Sequence, residues 1–261
     1  PKEIKPHLLS MEPGALLEMA SNDRCCRTAV QFLVVHFVRI SEFKAEQILT
    51  ASGHDSSAPP RSLDVEALLK AARECDLMRP PLDVLSPIGE AELKASLRRA
   101  FPDAEFIGSA SRAPWSYRGV PFQVEVGVAY GGESVIKDCG AAHESLKSKV
   151  IRLGNKCPLI YDSKDCLLYK VVKEVNWRNY RLPQERGNLP AAPAVFVVSL
   201  TATKVPYTAP GKFAIAYHDE IREQLKLALQ ELGRAIHSFI RRRKRQEYEM
   251  HRQNIFQVYG K

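Results

Sequence analysis

Several things missing from the chain narrow it first. No run of 18 apolar residues occurs, the length a helix needs to cross a bilayer, so no membrane span is expected. The six cysteines (25, 26, 75, 139, 157 and 166) include no C-x-x-C pair and form no Cys/His cluster at zinc spacing. They read as reduced intracellular thiols, and no metal site is expected. There is no G-x-x-x-x-G-K-[ST] loop, no dinucleotide fingerprint and no G-x-S-x-G elbow. The seven histidines make no H-x-x-H or H-E-x-x-H set. His36 lies in an apolar run and reads as a core residue rather than a ligand. Glu90 and Glu92 fall on different sides of a helix and do not make a paired acid site. These gaps argue against a complete enzyme. The first residue is Pro1 rather than Met, and no signal-peptide pattern follows. The chain is therefore expected to be an excised piece or a processed product.

What is present is a globular composition: 261 residues, 45% hydrophobic and 26% charged, enough for two domains. The formal charge of +8 favours polyanionic partners. Residues 1–100 read as four or five short helices. "SEFKAEQILTASG" has Ser41 as N-cap and Gly53 as C-cap. "LDVEALLKAAREC" puts Leu63, Ala67, Leu68, Ala71 and Ala72 on one face. "RTAVQFLVVHFVRI" suits a buried helix, with strand as the alternative because it is rich in valine.

From about Glu105 the pattern shifts towards strands. "VPFQVEVGVAYGG" alternates, with Phe122, Val124, Val126 and Val128 on one side and Gln123, Glu125 and Gly127 on the other. "ESVIKDCGAAHESLKSK" reads as an exposed loop, "VIRLGNKCPLIYD" as strand-like, "SKDCLLYKVVKEV" as a helix and "AAPAVFVVSLTATKV" as a central strand. Alternating strands and helices suggest an α/β or α+β arrangement, one sheet with helices packed on it, with α+β the fold class expected. Residues 218–259 contain no proline and only one glycine, Gly233. Ile221, Leu225, Leu229, Leu232, Ile236 and Phe239/Ile240 form an apolar stripe that fades at Arg241, Arg242, Arg243, Lys244 and Arg245. The five cations suit either a solvated helix face or a nucleic-acid or partner contact. Lys204, in the stiff loop "TATKVPYTAPGK", is either a solvated turn residue or a finger aimed at an anion; Lys212 is its rival.

Six strings, in this order, resemble the C-terminal half of the B subunit of DNA topoisomerase VI. They are "LSPIGE" (85–90), "PFQVEVGVAYGG" (121–132), "NKCPLIYD" (155–162), "VNWRNY" (175–180), "TKVPYT" (203–208) and "EIREQLKLALQELGR" (220–234). Each alone is weak; their order and spacing hold across nearly the whole chain. The resemblance implies a helix–two-turn–helix domain over 1–88. It also implies a transducer domain over 89–261, with a ribosomal protein S5 domain 2-like sheet and a long C-terminal helix over 218–259. The family's N-terminal ATPase domain has no counterpart in these residues.

The family's transducer supplies a lysine that senses the γ-phosphate of ATP, and Lys204 matches it by position. The family's Trp-Lys-x-Tyr motif, associated with DNA contact, corresponds to Trp177, Arg178 and Tyr180, with Arg in place of Lys. From the residues alone, Trp177 and Tyr180 serve equally well as packing at the sheet's edge. Where the family has Phe-Ala-Asn-Arg before Pro-Leu-Leu-Tyr, this chain has "RLGNKCPLIYD". Lys44, Arg61, Arg98 and Arg99 are further candidates for DNA contact.

The implied role is to couple ATP turnover to DNA cleavage and strand passage by the A subunit of topoisomerase VI. These residues alone would be inactive. ATP and magnesium would be held by the ATPase domain and by the A subunit, not here. The implied partners are the topoisomerase VI A subunit, duplex DNA and a second B subunit. The implied setting is intracellular: nucleoid or cytoplasm in a prokaryote, nucleus in a eukaryote. A non-enzymatic B-like scaffold of a meiotic double-strand-break complex and a stand-alone DNA-binding module are the alternatives.

Overall fold

The computed structural model describes residues 5–140, 147–160, 164–209, 211 and 213–259, with side chains through 252. The chain divides into two compact units. One comprises residues 1–86, 114–122 and 202–204; the other comprises 87–113, 123–201 and 205–261.

The first unit is mainly helical: α1 (Pro13–Asn22), α2 (Ala29–His36), α3 (Glu42–Ala51) and α4 (Val65–Glu74). Side-chain caps start three of these helices by accepting otherwise orphaned backbone N–H groups. Thr28 caps α2 through Gln31 N, Ser41 caps α3 through Lys44 N, and Asp64 caps α4 through Glu66 N and Ala67 N. The cap at Thr28 and the burial of Phe32 and Leu33 resolve the valine-rich run as helix. The buried stripe of α4 is Val65, Leu68, Leu69, Ala71 and Ala72; Ala67 sits at its margin, half-buried. Helix α3 ends at Ala51, and Gly53 adopts the left-handed turn beyond it.

A short 3-10 turn at Leu8–Ser10 opens the unit, with His7 as its cap. The His7 ring is buried. Its Nδ1 accepts from Leu9 N–H at 3.3 Å, so Nε2 carries the proton it gives to the Met78 carbonyl at 3.2 Å. The ring lies against Gly119, whose φ of +75° and lack of space exclude a Cβ.

The second unit carries α5 (Glu90–Ala100) and most of a six-stranded sheet. The strands are β1 (Phe106–Ser111), β2 (Trp115–Tyr117), β3 (Val120–Tyr130), β4 (Lys149–Gly154), β5 (Cys157–Pro158) and β6 (Ala194–Ala202). Their order is β1-β3-β6-β4-β5, with β2 pairing β3. β1 runs antiparallel to β3, from Phe106↔Tyr130 to Ser111↔Glu125. β4 runs parallel to β6, from Lys149↔Val195 to Gly154↔Leu200. All nine residues of β6 are buried, as a central strand requires.

β3 is buried on both faces, more fully than simple alternation predicts. α5 covers the second face, close enough that a Cβ on Gly127 would lie 2.8 Å from Leu97. Glu125 is buried there and accepts from the backbone N–H groups of Ile88 (2.8 Å) and Gly89 (2.6 Å), fixing the entry into α5.

One sequence expectation needs correction and another gains detail. The segment read as a loop after Gly132 begins with α6 (Glu133–Asp138), and residues 141–146 lie outside those described. The strand-like run "VIRLGNKCP" folds back as a β4–β5 hairpin. Asn155 and Lys156 both take left-handed φ, +48° and +68°, as a tight two-residue hairpin turn demands.

Beyond these lie α7 (Leu167–Glu174) and α8 (Asp219–Tyr259), whose 41 residues span about 60 Å. Ile221, Leu225, Leu229, Leu232, Ile236 and Ile240 of α8 are buried, chiefly against β1 and α7; residues 241–252 are all exposed. Phe239 stacks on Phe106 at 5.2 Å, and Arg222 pairs with Glu174 at 2.8 Å.

Gly233 is the one residue in α8 that helix propensity strongly disfavours. A Cβ there would lie 2.5 Å from the Tyr180 ring. Gly233→Ala is expected to lower stability by about 1–2 kcal/mol through overpacking. In a Tyr180→Ala background the same change is expected to raise stability by up to about 1 kcal/mol. Urea unfolding of the four variants measures both signs.

Burial holds the His7 ring below its ordinary value of 6.5, with the Met78 hydrogen bond partly opposing. The neutral ring is therefore the folded form. Its contribution is complete above 6.5 and is lost as the pH falls from there through the lowered folded value. A His7→Gln variant is expected to lack this component, seen as a shallower loss of thermal stability across that window.

Candidate nucleotide-sensing loop and nucleic-acid interface

Lys204 follows β6 by two residues and is exposed. Its carbonyl accepts the Tyr117 hydroxyl at 3.1 Å, and Thr203 N–H donates to the Pro121 carbonyl at 3.3 Å. The backbone is thus held while the ammonium stays in solvent. Among the described residues no carboxylate pairs with it. The segment that follows is tied back on itself. Ala216 N–H donates to the Pro206 carbonyl at 2.7 Å, Thr208 N–H to the Ala214 carbonyl at 2.9 Å, and Tyr207 bridges Ile215. Lys212, the rival, lies outside the described residues.

The Trp177–Tyr180 segment forms a 3-10 turn after α7. Trp177 is completely buried. Its Nε1–H donates to the Val172 carbonyl at 2.7 Å, and its ring meets Phe196 of β6 at a centroid distance of 4.7 Å. This corrects its placement among DNA-contacting residues: a covered indole has no face to offer a nucleic acid. Tyr180 is half-buried over Gly233.

Of the three motif residues only Arg178 is exposed, with its Nε donating to the Gln184 carbonyl. The guanidinium shares a hollow of about 260 Å³ with Lys173, Glu174, Gln184, Glu185 and Arg186. Lys173 and Arg186 were missed by sequence reasoning. The i, i+5 spacing of Lys173 and Arg178 straddles a helix end, and Arg186 joins them only through the turn at Gln184.

The five cations of α8 are not equivalent. Arg243 pairs with Glu247 and Glu105, which hold its guanidinium above the ordinary arginine value, the Glu247 hydrogen bond first. Arg245 pairs with Glu249 at 2.9 Å. Arg241, Arg242 and Lys244 are exposed and have no ion pair among the described residues.

The sheet unit thus combines a buried central strand, an exposed lysine two residues past it and a long helix buried along its first half. The family described as "Topoisomerase VI B subunit, transducer" matches residues 80–252, and the chain belongs to it. It is 41% identical over 249 residues to the B subunit of type 2 DNA topoisomerase 6 from Archaeoglobus fulgidus, covering 94% of this chain and 40% of that protein. The corresponding protein of Methanococcoides burtonii is 35% identical, covering 95% of this chain and 40% of its own length. That of Metallosphaera sedula is 34% identical, covering 95% and 45%. The chain thus spans less than half the length of these relatives. A solved B subunit of DNA gyrase from Myxococcus xanthus aligns over 57% of this chain and 42% of its own, at 15% identity and a TM-score of 0.35, and adds nothing to the assignment.

Proposed function

We propose that these residues are the nucleotide-sensing and relay portion of a type IIB topoisomerase B subunit. The helical unit is read as the family's helix–two-turn–helix domain and the sheet unit as the transducer. Lys204 is the sensing cation, and α8 is the relay towards the DNA-cleaving A subunit. The observation that carries the reading is Lys204 itself: an exposed ammonium on a pinned backbone, without a carboxylate partner among the described residues. Such a cation is available to an outside anion. An ammonium–phosphate contact gains strength when a closing interface excludes water.

ATP with magnesium would supply the terminal phosphate charge, and of this chain's residues only Lys204 is assigned to meet it. Everything else in the nucleotide site is assigned to the part of the B subunit that these relatives have and these residues do not include. Duplex DNA is proposed as the polyanion for Arg178 and for the free cations Arg241, Arg242 and Lys244, through sequence-independent phosphate contacts. A second B subunit would pair with this one in the nucleotide-bound state. Among the described residues no helix is long and apolar enough to cross a membrane.

In the B subunit carrying its nucleotide-binding portion and assembled with the cleaving subunit, Lys204→Ala is expected to cut ATP-dependent supercoil relaxation at least tenfold, about 1.4 kcal/mol. Assembly with the cleaving subunit should be retained. Undiminished relaxation would overturn the sensing role, and relaxation absent even from the unmutated assembly would point to a scaffold. For DNA, removing Arg241, Arg242 or Lys244 is expected to lower the slope of log affinity against log salt by about 1 each. Arg243→Ala should lower it less, because its charge is already shared with two carboxylates. Fluorescence anisotropy across a salt series reads these slopes.

A further inference from the structure

The helical unit gathers three side chains of metal-binding type that the nucleotide-sensing role leaves unused. Asp23 caps the end of α1, Cys26 lies in the connector, and His36 closes α2. One ligand atom from each lies within 4.8 Å of the other two. The carboxylate is already oriented: its oxygens accept from the backbone N–H groups of Cys25 at 2.9 Å and Cys26 at 3.2 Å. The Cys25 N–H contact, opposed by burial and helped by the Cys26 thiol and the His36 ring, holds Asp23 below the usual carboxylate range. The Cys26 thiol is pushed up to about 11, first by burial and then by Asp23, so its proton stays on until something displaces it.

The decisive geometry is at His36. Its Nε2 lies 3.4 Å from Asp23 Oδ1, is itself buried, and makes no hydrogen bond. A charge-assisted N–H···O contact closes to about 2.7–2.9 Å, so this pair has stopped short of one. Two ligands on one tetrahedral ion stand further apart. Metal–nitrogen and metal–oxygen bonds of about 2.0–2.1 Å at the tetrahedral angle separate the two atoms by about 3.3 Å. The 3.4 Å separation matches two ligands on one tetrahedral ion as well as a loose ion pair. A buried ring nitrogen that makes no hydrogen bond, with the Asp23 carboxylate beside it, has room for a cation between the two.

We propose that Asp23, Cys26 and His36 bind one thiophilic divalent cation of the zinc class, which ties the end of α1 to the end of α2. The donor set selects the metal. Thiolate with imidazole suits zinc and its transition-metal neighbours, whereas magnesium and calcium take oxygen ligands. Three protein ligands leave a fourth position for water or for the exposed thiol of Cys25. On binding, the Cys26 S–H bond gives its proton to solvent and the sulfur–metal bond replaces it. His36 coordinates as neutral imidazole and Asp23 as carboxylate. The site is independent of Lys204 and of any nucleotide. It departs from the sequence reading, which makes His36 a core residue and expects no Cys/His cluster. The ligands are 3 and 10 residues apart, outside the familiar zinc spacings, and only the turn after α1 brings them together.

The test uses the whole chain, reduced and freed of metal, titrated with cobalt(II) and then with zinc. One equivalent of cobalt is expected to give a thiolate-to-metal charge-transfer band with tetrahedral visible bands, both abolished by zinc. Cys26→Ser should remove the charge-transfer band and weaken zinc binding at least tenfold. His36→Gln, at a half-exposed position, should weaken it similarly while circular dichroism shows the helices retained. Cys157→Ser, in the other unit, should change nothing. No cobalt band from the unmutated chain would overturn the proposal. So would a band that survives Cys26→Ser and disappears only when Cys25 is also replaced, or zinc affinity indifferent to His36→Gln.

Discussion

The burial of one side of α8 is the constraint on which the sheet unit depends. Ile221 through Ile240 present a single apolar face, and β1, α7 and the Trp177–Tyr180 turn cover it. Burying a side chain of this size contributes about 1.5–3 kcal/mol, so six such residues outweigh the individual ion pairs along the same helix. Arg222–Glu174 and Arg112–Glu231 set direction and register more than strength. The Tyr180 ring over Gly233 sets register too, because only a glycine lets the ring come so close. Position along the helix is thereby specified twice, once by the stripe and once by a single missing methyl group.

The same economy explains Trp177 and Glu125. In sequence Trp177 suits packing or an exposed contact equally, and Glu125 is a carboxylate on the polar side of an alternating strand. Both are covered because a second layer packs where local pattern alone suggests solvent. Trp177 finds a backbone carbonyl for its N–H and an aromatic partner for its ring. Glu125 finds two backbone N–H groups at the entry to α5. A polar group accepted this fully into an interior acts as a locator, since its partners are lost if the layers shift.

Legibility in the sequence followed the range of the interaction that decides each feature. The cap at Ser41, the stripe of α8, the strand β6 and the lysine after it were all readable, because periodicity and caps act within a few residues. The β4–β5 hairpin was carried by "GNK", where two non-glycine residues adopt left-handed angles, and that was too slight to predict. α6 was missed because its six residues contain little periodicity. The neighbours of Arg178 and the gathering of Asp23, Cys26 and His36 depend on turns whose geometry no local pattern encodes. The family resemblance placed Lys204 and the motif at Trp177; the packing then separated the exposed arginine of that motif from its buried aromatic.

Past Ile240 the long helix loses its apolar cover, keeps one tertiary ion pair, Arg243–Glu105, and holds its shape through pairs one turn apart, Arg243–Glu247 and Arg245–Glu249. Attractions between exposed charges of this kind fade with ionic strength. The inner half is stiffened by oil-like burial and the outer half by screened Coulomb forces. The rod therefore bends most easily in a section whose rigidity is set by the surrounding electrolyte, and a polyanion lying beside it would compete for the very arginines that keep it straight.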